Sequence, residues 1–210
     1  MIKILIADDH ALMRAGLKRI LKDEPDLKVI AEASNGFEVI DTVKKNEADF
    51  IMLDLTMPGK NGLEVIKELR QINKNIHILI LSMHPEDRFA VRALKSGASG
   101  YMTKESAPDE LVNAIRKIVS GRKYITPGLA EKLAMEFDED FGKLPHESLS
   151  DREYEVFIMI ATGKKITEIA DTLTLSSATV NTYRARIFDK MKIKSNVELT
   201  HYALSNNLID

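Results

Sequence analysis

Residues 50–62 read Phe50-Ile51-Met52-Leu53-Asp54-Leu55-Thr56-Met57-Pro58-Gly59-Lys60-Asn61-Gly62. Four apolar residues end on a carboxylate, and Pro58-Gly59 then breaks the chain. From Leu63 the apolar period becomes helical, with Leu63, Ile66, Leu69 and Ile72 marking one face. A short buried strand followed by an amphipathic helix is the repeating unit of a parallel sheet covered by helices. The same alternation extends in both directions. Apolar runs at 2–7, 27–33, 50–53, 76–81 and 100–102 predict five strands, the last one short, and 11–22, 37–45, 63–71, 87–95 and 109–120 predict helices. Pro25, Asn35-Gly36, Pro85 and Gly97 punctuate the joints. Five such repeats predict an α/β doubly wound domain, whose ligand site lies outside the carboxyl ends of its strands. Function is therefore to be sought just after each strand.

The chain has 210 residues, 44% of them hydrophobic, enough to supply a core for each of two ordinary domains. Its 30% charged residues and few aromatics are those of a globular protein. No apolar run is long enough to cross a bilayer, and Asp8-Asp9 interrupts the opening apolar run before a signal-peptide core can form. The expected location is cytoplasmic, with no membrane partner. The absence of cysteine excludes disulfides, Cys-ligated zinc and thiol catalysis. A formal net charge of −2 gives no general attraction to nucleic acid, so such binding must come from a local basic face.

The expected division is an α/β domain over 1–121, a linker over 122–148 and a small all-α domain over 149–210. Within the linker Thr126-Pro127 can start a short helix through Phe137, before Asp138-Glu139-Asp140, Gly142, Pro145 and Ser148. Four helices follow. Ser150 with Glu153 spells a capping box for 151–161, and Ser195 with Glu198 another for 196–205. Helices at 166–173 and 177–191 are separated only by Thr174-Leu175-Ser176, the spacing of a helix-turn-helix.

In the first domain Asp8 and Asp9 close the first strand, Asp54 closes the third, Ser82 follows the fourth and Lys104 follows the fifth. Carboxylates gathered so closely repel one another, and oxygen ligands with retained water favour Mg²⁺ as the counter-charge. A carboxylate in such a cluster can act as a nucleophile toward a phosphoryl group, with an ammonium and a hydroxyl to hold it. Taken singly, each residue has an ordinary explanation: a strand-terminal Asp caps a helix, a Ser or Lys is solvated, a Tyr is core. Their joint occurrence after the right strands carries the functional reading. A phosphatase of the haloacid dehalogenase type would need a second Asp two residues after the nucleophile, where this chain has Thr56. Turnover of external phosphate esters is therefore not expected, only slow loss of the chain's own acyl phosphate, with Thr56 and His84 flanking the site.

Asp8-Asp9 after an apolar strand, Leu53-Asp54-Leu55-Thr56-Met57-Pro58 with Asn61-Gly62, Leu81-Ser82-Met83 and Gly100-Tyr101-Met102-Thr103-Lys104 resemble the receiver domain of bacterial two-component response regulators. That resemblance implies a flavodoxin-like fold in which Asp54 accepts a phosphoryl group from a sensor histidine kinase. It further implies that Asp8, Asp9, Asp54 and the backbone carbonyl of Thr56 coordinate Mg²⁺. Ser82 and Lys104 would bind phosphoryl oxygens, and Tyr101 would swing inward as Ser82 moves.

The C-terminal part resembles the LuxR-type helix-turn-helix of the NarL/FixJ class. The likeness is carried by Leu149-Ser150-Asp151-Arg152-Glu153, Ile160-Ala161-Thr162-Gly163-Lys164, Glu168-Ile169-Ala170, Thr179-Val180-Asn181-Thr182-Tyr183 and Lys190-Met191. Over 150–210 the bases are Arg152, Lys164, Lys165, Arg184, Arg186, Lys190, Lys192 and Lys194; the acids are Asp151, Glu153, Glu155, Glu168, Asp171, Asp189, Glu198 and Asp210. Eight against eight leaves no net charge, so double-stranded DNA must be met by a local stripe, Arg184 to Lys194. Candidate DNA contacts are Ser177, Thr179, Asn181, Thr182, Arg184 and Ala185 on the second helix, with Arg186 and Lys190 beyond them and Lys164 and Lys165 before the motif. Asn181 departs from the Lys common in the family and can pair bidentately with adenine. Val180, Ile187 and Met191 are expected to face the core.

Phosphorylation is expected to bias a two-state surface over residues 87–101, changing homodimerisation or releasing the DNA-reading helix. A dimer would match two half-sites about one helical turn apart, with RNA polymerase a further candidate partner. Val197, Ala203 and Leu204 of the last helix are candidates for a second contact or for core. Two alternatives stand beside this one: a regulator switched without phosphate, and a signalling module whose helical domain binds protein.

Overall fold

The computed structural model describes residues 1–45, 47–83, 86–106, 108–135 and 144–209. The chain divides into two compact units, Met1–Leu133 and Ala134–Asp210.

In the first unit the elements alternate as β1 (Ile2–Ala7), α1 (Ala11–Lys22), β2 (Leu27–Ala33), α2 (Gly36–Lys45), β3 (Phe50–Asp54), α3 (Gly62–Ile72), β4 (His77–Ser82), α4 (Glu86–Ser96), β5 (Gly100–Thr103) and α5 (Pro108–Val119). The five strands are parallel in the order β2-β1-β3-β4-β5. After β2 the chain crosses back over β1, so the order reverses between β1 and β3, where α/β sheets open their ligand crevice. Those two strands lead into Asp8 and end on Asp54. All five residues of β3 are buried, as a central parallel strand covered on both faces requires.

Alternate strand residues Ile4, Ile6, Phe50, Met52, Leu79 and Leu81 form one core with Leu17 and Leu21 of α1 and Leu111, Ile115 and Ile118 of α5. Strand β4 begins and ends one residue later than the apolar run suggests, so Ser82 is its last residue. Ile72 is 40% exposed while Leu63, Ile66 and Leu69 are buried, because each step of three residues falls about 60° short of a turn and walks off the face.

Two junctions set the upper and lower edges of this unit. Above β3, Asn61 caps α3 in a capping box with Glu64, and Gly62 donates its N–H to the Leu55 carbonyl at 2.8 Å. A Cβ at Gly62 would stand 2.7 Å from the Asp54 carbonyl oxygen and 2.8 Å from Leu55 Cα, so only glycine lets α3 start this close to the strand tip. At the lower edge, Arg70 donates to the carbonyls of Ile76 at 2.7 Å and Gly97 at 2.8 Å, tying α3 to the turn between α4 and β5.

After α6 (Pro127–Met135), residues 136–143, including Phe137, the acidic run and Gly142, lie outside the described residues. The next described element, within the second unit, is a 3₁₀ turn, Pro145–Ser148, in a stretch read from the sequence as linker. The unit continues with α7 (Asp151–Ala161), α8 (Ile166–Leu173), α9 (Ser177–Met191) and α10 (Asn196–Ser205). Ser150 and Glu153 form the expected capping box. Ser195 caps α10, but the Glu198 carboxylate accepts the N–H of Lys194 at 3.0 Å, one residue beyond its reciprocal partner. Between α8 and α9, Thr174 takes a left-handed conformation with φ 53° and Ser176 caps α9, accepting the Thr179 N–H at 3.0 Å. Phe157, Ile169, Leu173, Val180, Ile187, Leu199 and Ala203 fill the core, whereas Val197 is 79% and Leu204 46% exposed.

Candidate functional site

The crevice at the carboxyl ends of β1 and β3 gathers the ionisable side chains expected there. Asp8 and Asp54 are buried, Asp9 is partly exposed, and Lys104, the residue after β5, reaches across to both buried acids. Its Nζ lies 2.7 Å from Asp8 Oδ2 and 2.7 Å from Asp54 Oδ2. Its backbone N–H is held by the Ser82 carbonyl at 2.9 Å, which fixes β5 against β4 at this level. The other Asp54 oxygen accepts the Thr56 N–H at 3.2 Å. Asp8 Oδ1 accepts the His10 N–H at 2.8 Å, and Arg14 donates to the Asp8 carbonyl at 2.7 Å.

Burial in the crevice pushes the Asp54 carboxyl up to about 6, against the opposing pull of Lys104. For Lys104 burial is again the largest influence and disfavours its charge, but Asp54 and Asp8 together outweigh it and hold the ammonium above the usual lysine value. One ammonium thus serves two buried carboxylates, with a third carboxylate beside them.

Asp8 Oδ2 and Asp9 Oδ1 are buried atoms that accept no hydrogen bond of good direction among the described residues. The approach of Lys104 to the first is ionic, and His10 Nδ1 stands 2.7 Å from the second. Donor atoms of Asp8, Asp9, His10 and Asp54 all lie within 4.8 Å of one another. Three oxygen donors with excess negative charge and undersatisfied lone pairs suit a hard divalent cation.

Ser82 and Tyr101 are both buried, so the tyrosine ring already lies inside in this structure. His84 is outside the described residues. His10 and Arg14 are the additions that the sequence did not single out, and Gly62, quoted there only as part of a motif, gains a packing role.

In the second unit Lys164, Lys165, Ser177, Asn181, Thr182, Ala185, Arg186 and Lys190 are exposed, while Thr179 and Arg184 are half-buried. Several are already engaged. Asn181 Nδ2 donates back to the Ser177 carbonyl at 3.0 Å, and the Thr182 hydroxyl to that of Ala178 at 3.0 Å. Arg184 donates to Asn196 at 2.8 Å and lies over the Phe188 ring. Lys190 Nζ is 2.5 Å from the buried carboxylate of Glu153, whose pKa burial would raise but which Lys190 and the Ser150 N–H and hydroxyl bring below the ordinary glutamate value. Val180, Ile187 and Met191 face inward as expected.

The family described as response regulator receiver domain matches residues 4–116, and the family described as bacterial regulatory proteins, luxR family, matches residues 147–203. The chain is 39% identical over 209 residues to the response regulator UvrY of Escherichia coli, covering 99% of this chain and 96% of that protein. It is 39% identical over 211 residues to the response regulator GacA of Pseudomonas aeruginosa, covering 100% and 99%. Among solved structures it resembles RcsB of Salmonella enterica serovar Typhimurium bound to promoter rprA in the presence of the phosphomimetic BeF₃⁻. That match has a TM-score of 0.65 and 25% identity and covers 98% of this chain and 100% of that one. A LuxR-family two-component response regulator from an Aurantimonas species matches with TM-score 0.59 and 39% identity over 65% of this chain and 98% of its own. Among the described residues no helix is long and apolar enough to cross a membrane.

Proposed function

This chain belongs to the DNA-binding response regulators that join a receiver to a LuxR-type domain, and from that premise we propose that Asp54 is its phosphoacceptor. The observation that carries the proposal is the buried trio in which Lys104 forms ion pairs with Asp8 and Asp54 at once. Phosphoryl transfer breaks the P–N bond of a phosphohistidine on a sensor histidine kinase and forms a P–O bond to an Asp54 carboxylate oxygen. A carboxyl of pKa about 6 is ionised at neutral pH yet more basic than a solvated aspartate, which suits a nucleophile. Asp8, Asp9, Asp54 and the Thr56 carbonyl would hold Mg²⁺, which when bound neutralises acidic and phosphoryl oxygens alike. Lys104 gives up Asp54 for a phosphoryl oxygen while keeping Asp8, and the Ser82 hydroxyl binds another. With Thr56 in place of a second acid, the acyl phosphate decays slowly and serves as a state rather than an intermediate.

The exposed face of α9 from Ser177 to Arg186 reads base edges and phosphates of duplex DNA, with Lys164, Lys165 and Lys190 contributing to phosphate contact. Residues 1–121 form the phosphoacceptor domain, 122–148 the connector and 149–210 the reader. Phosphorylation shifts a two-state surface around residues 87–101 toward a homodimer, and the exposed Val197 and Leu204 of α10 give the second unit an apolar face for the same purpose. The protein acts in the cytoplasm, with RNA polymerase as its downstream partner.

The test is labelling of the purified chain by a phosphorylated histidine kinase with Mg²⁺, comparing wild type with Asp54→Asn. Loss of label with an unchanged circular dichroism spectrum is expected. Full labelling of the variant would overturn the assignment.

A further inference from the structure

We propose that His10 is a further ligand of the divalent-cation site beside Asp9 and Asp54, giving it a preference for a first-row transition cation, probed as Mn²⁺, over Mg²⁺. The inference rests on the cation-dependent phosphoacceptor reading above and extends it to the identity of the ion.

His10 is the residue before α1, a position whose side chain ordinarily caps the helix, yet its ring makes no cap hydrogen bond. Its side chain is 70% exposed and could lie in water at no loss. Instead Nδ1 sits 2.7 Å from Asp9 Oδ1 and 3.3 Å from Asp8 Oδ1. The backbone around it is held: its N–H donates to Asp8 Oδ1 at 2.8 Å, and its carbonyl accepts the Arg14 N–H at 3.2 Å. The backbone of His10 is thus fixed beside the acids, and its ring nitrogen faces the same space as they do.

The donor atoms of Asp8, Asp9, His10 and Asp54 fall within 4.8 Å of one another. Nitrogen and oxygen ligands around one divalent ion stand roughly 3 to 4.3 Å apart, given bond lengths near 2.1 Å, so closure needs shifts of a few tenths of an ångström. Asp9 Oδ1, buried and without a hydrogen bond of good direction, is the oxygen nearest to that nitrogen. Mg²⁺ gains little from imidazole, whereas Mn²⁺, though also a hard cation served by oxygen, gains more from a nitrogen donor, and its later first-row neighbours more still. An imidazole in this place, ligating through Nδ1, converts an all-oxygen site into a mixed one. A plain imidazole–carboxylate hydrogen bond would produce the same 2.7 Å contact, and the experiment separates the two.

The full chain, stripped with a chelator, is titrated by calorimetry with Mg²⁺ and separately with Mn²⁺, as wild type and as His10→Gln. Pulsed electron paramagnetic resonance of the Mn²⁺-loaded proteins reads nitrogen hyperfine modulation. Glutamine keeps a polar side chain and an oxygen donor while removing the nitrogen. The expected result is nitrogen modulation in wild type that disappears in His10→Gln and in Asp9→Asn. The ratio of Mn²⁺ to Mg²⁺ affinity should fall roughly tenfold in His10→Gln, with Mg²⁺ affinity held within about twofold because oxygen donors suffice for it. Wild type that binds Mn²⁺ without nitrogen modulation, or an affinity ratio unmoved by His10→Gln, overturns the proposal and leaves the phosphoacceptor reading intact. Failure of wild type to bind either ion overturns both.

Discussion

Asp54 carries a charge that its surroundings oppose and its chemistry needs. Its carboxyl has a pKa of about 6 in the fold against an ordinary 3.8. Between those values the folded chain holds a proton that the unfolded chain has lost, so this residue's contribution to stability falls as pH rises through that window and stays low above it. That rise, with the opposing pull of Lys104 already within it, corresponds to a penalty on the order of 2–3 kcal/mol at neutral pH. In the absence of divalent cation, Asp54→Asn should therefore stabilise the first unit at pH 7, by on the order of 1–2 kcal/mol, with the gain vanishing near pH 4. Urea unfolding of the two proteins at both pH values checks it, and a variant less stable at pH 7 would contradict the burial argument. Asp8, Asp9, Asp54 and Lys104 were readable in the sequence because each stands at a strand tip, where the topology sends everything to one edge. His10 and Arg14 were not, and Gly62 was legible only as part of a motif, since their roles depend on contacts rather than on position. Arg14 reaches back to the Asp8 carbonyl from within a helix, and Gly62 matters for the atom it lacks.

At the scale of elements, the junction of β3 with α3 sets the position of Asp54, the proposed acceptor. A methyl group at Gly62 would meet two backbone atoms, at 2.7 and 2.8 Å, neither of which is the end of a flexible side chain. Gly62→Ala should lower stability by about 1–3 kcal/mol, and because the displaced atoms belong to Asp54 and Leu55 it should also slow phosphorylation by a small-molecule phosphodonor. Thermal melts and phosphorylation time courses on the same preparations separate the two effects; an unchanged labelling rate would show that the junction does not position the acceptor. Element types were legible throughout because the apolar periods of the strands and helices differ plainly. Their ends were less so. Ser150–Glu153 closed as a reciprocal box, but Ser195–Glu198 did not, because the Lys194 N–H lies in reach of the same carboxylate. The turn Pro145–Ser148 was hidden in a stretch of breakers that, read locally, resembles any connector.

For the whole molecule, a net charge of −2 and a reader with eight bases against eight acids put a limit on its hold upon DNA. Lys190 is tied to Glu153, Lys192 to Asp189 and Arg184 to Asn196. Lys164, Lys165, Arg186 and Lys194 are exposed and make no ion pair among the described residues. With those four as the phosphate contacts that release counterion, and Lys190 releasing little because it exchanges Glu153 for phosphate, log affinity against log salt should have a slope of about −4. Glu153→Gln, which frees Lys190, should steepen it by about one, while weakening the α7 cap and removing stability that in wild type is lost only when acid titrates Glu153. Fluorescence anisotropy on duplex DNA across a salt series measures the slope; one near zero would argue for a protein-binding second unit instead. The clasp between Lys190 and Glu153 has a consequence for how a target is found. A cation that must leave one anion to meet another releases little counterion when it does so, and random sequence offers it scant reward. Sliding along a chromosome is then brief, most encounters end at once, and residence lengthens only where base edges add their own contacts, so selectivity comes from a weak grip on everything else.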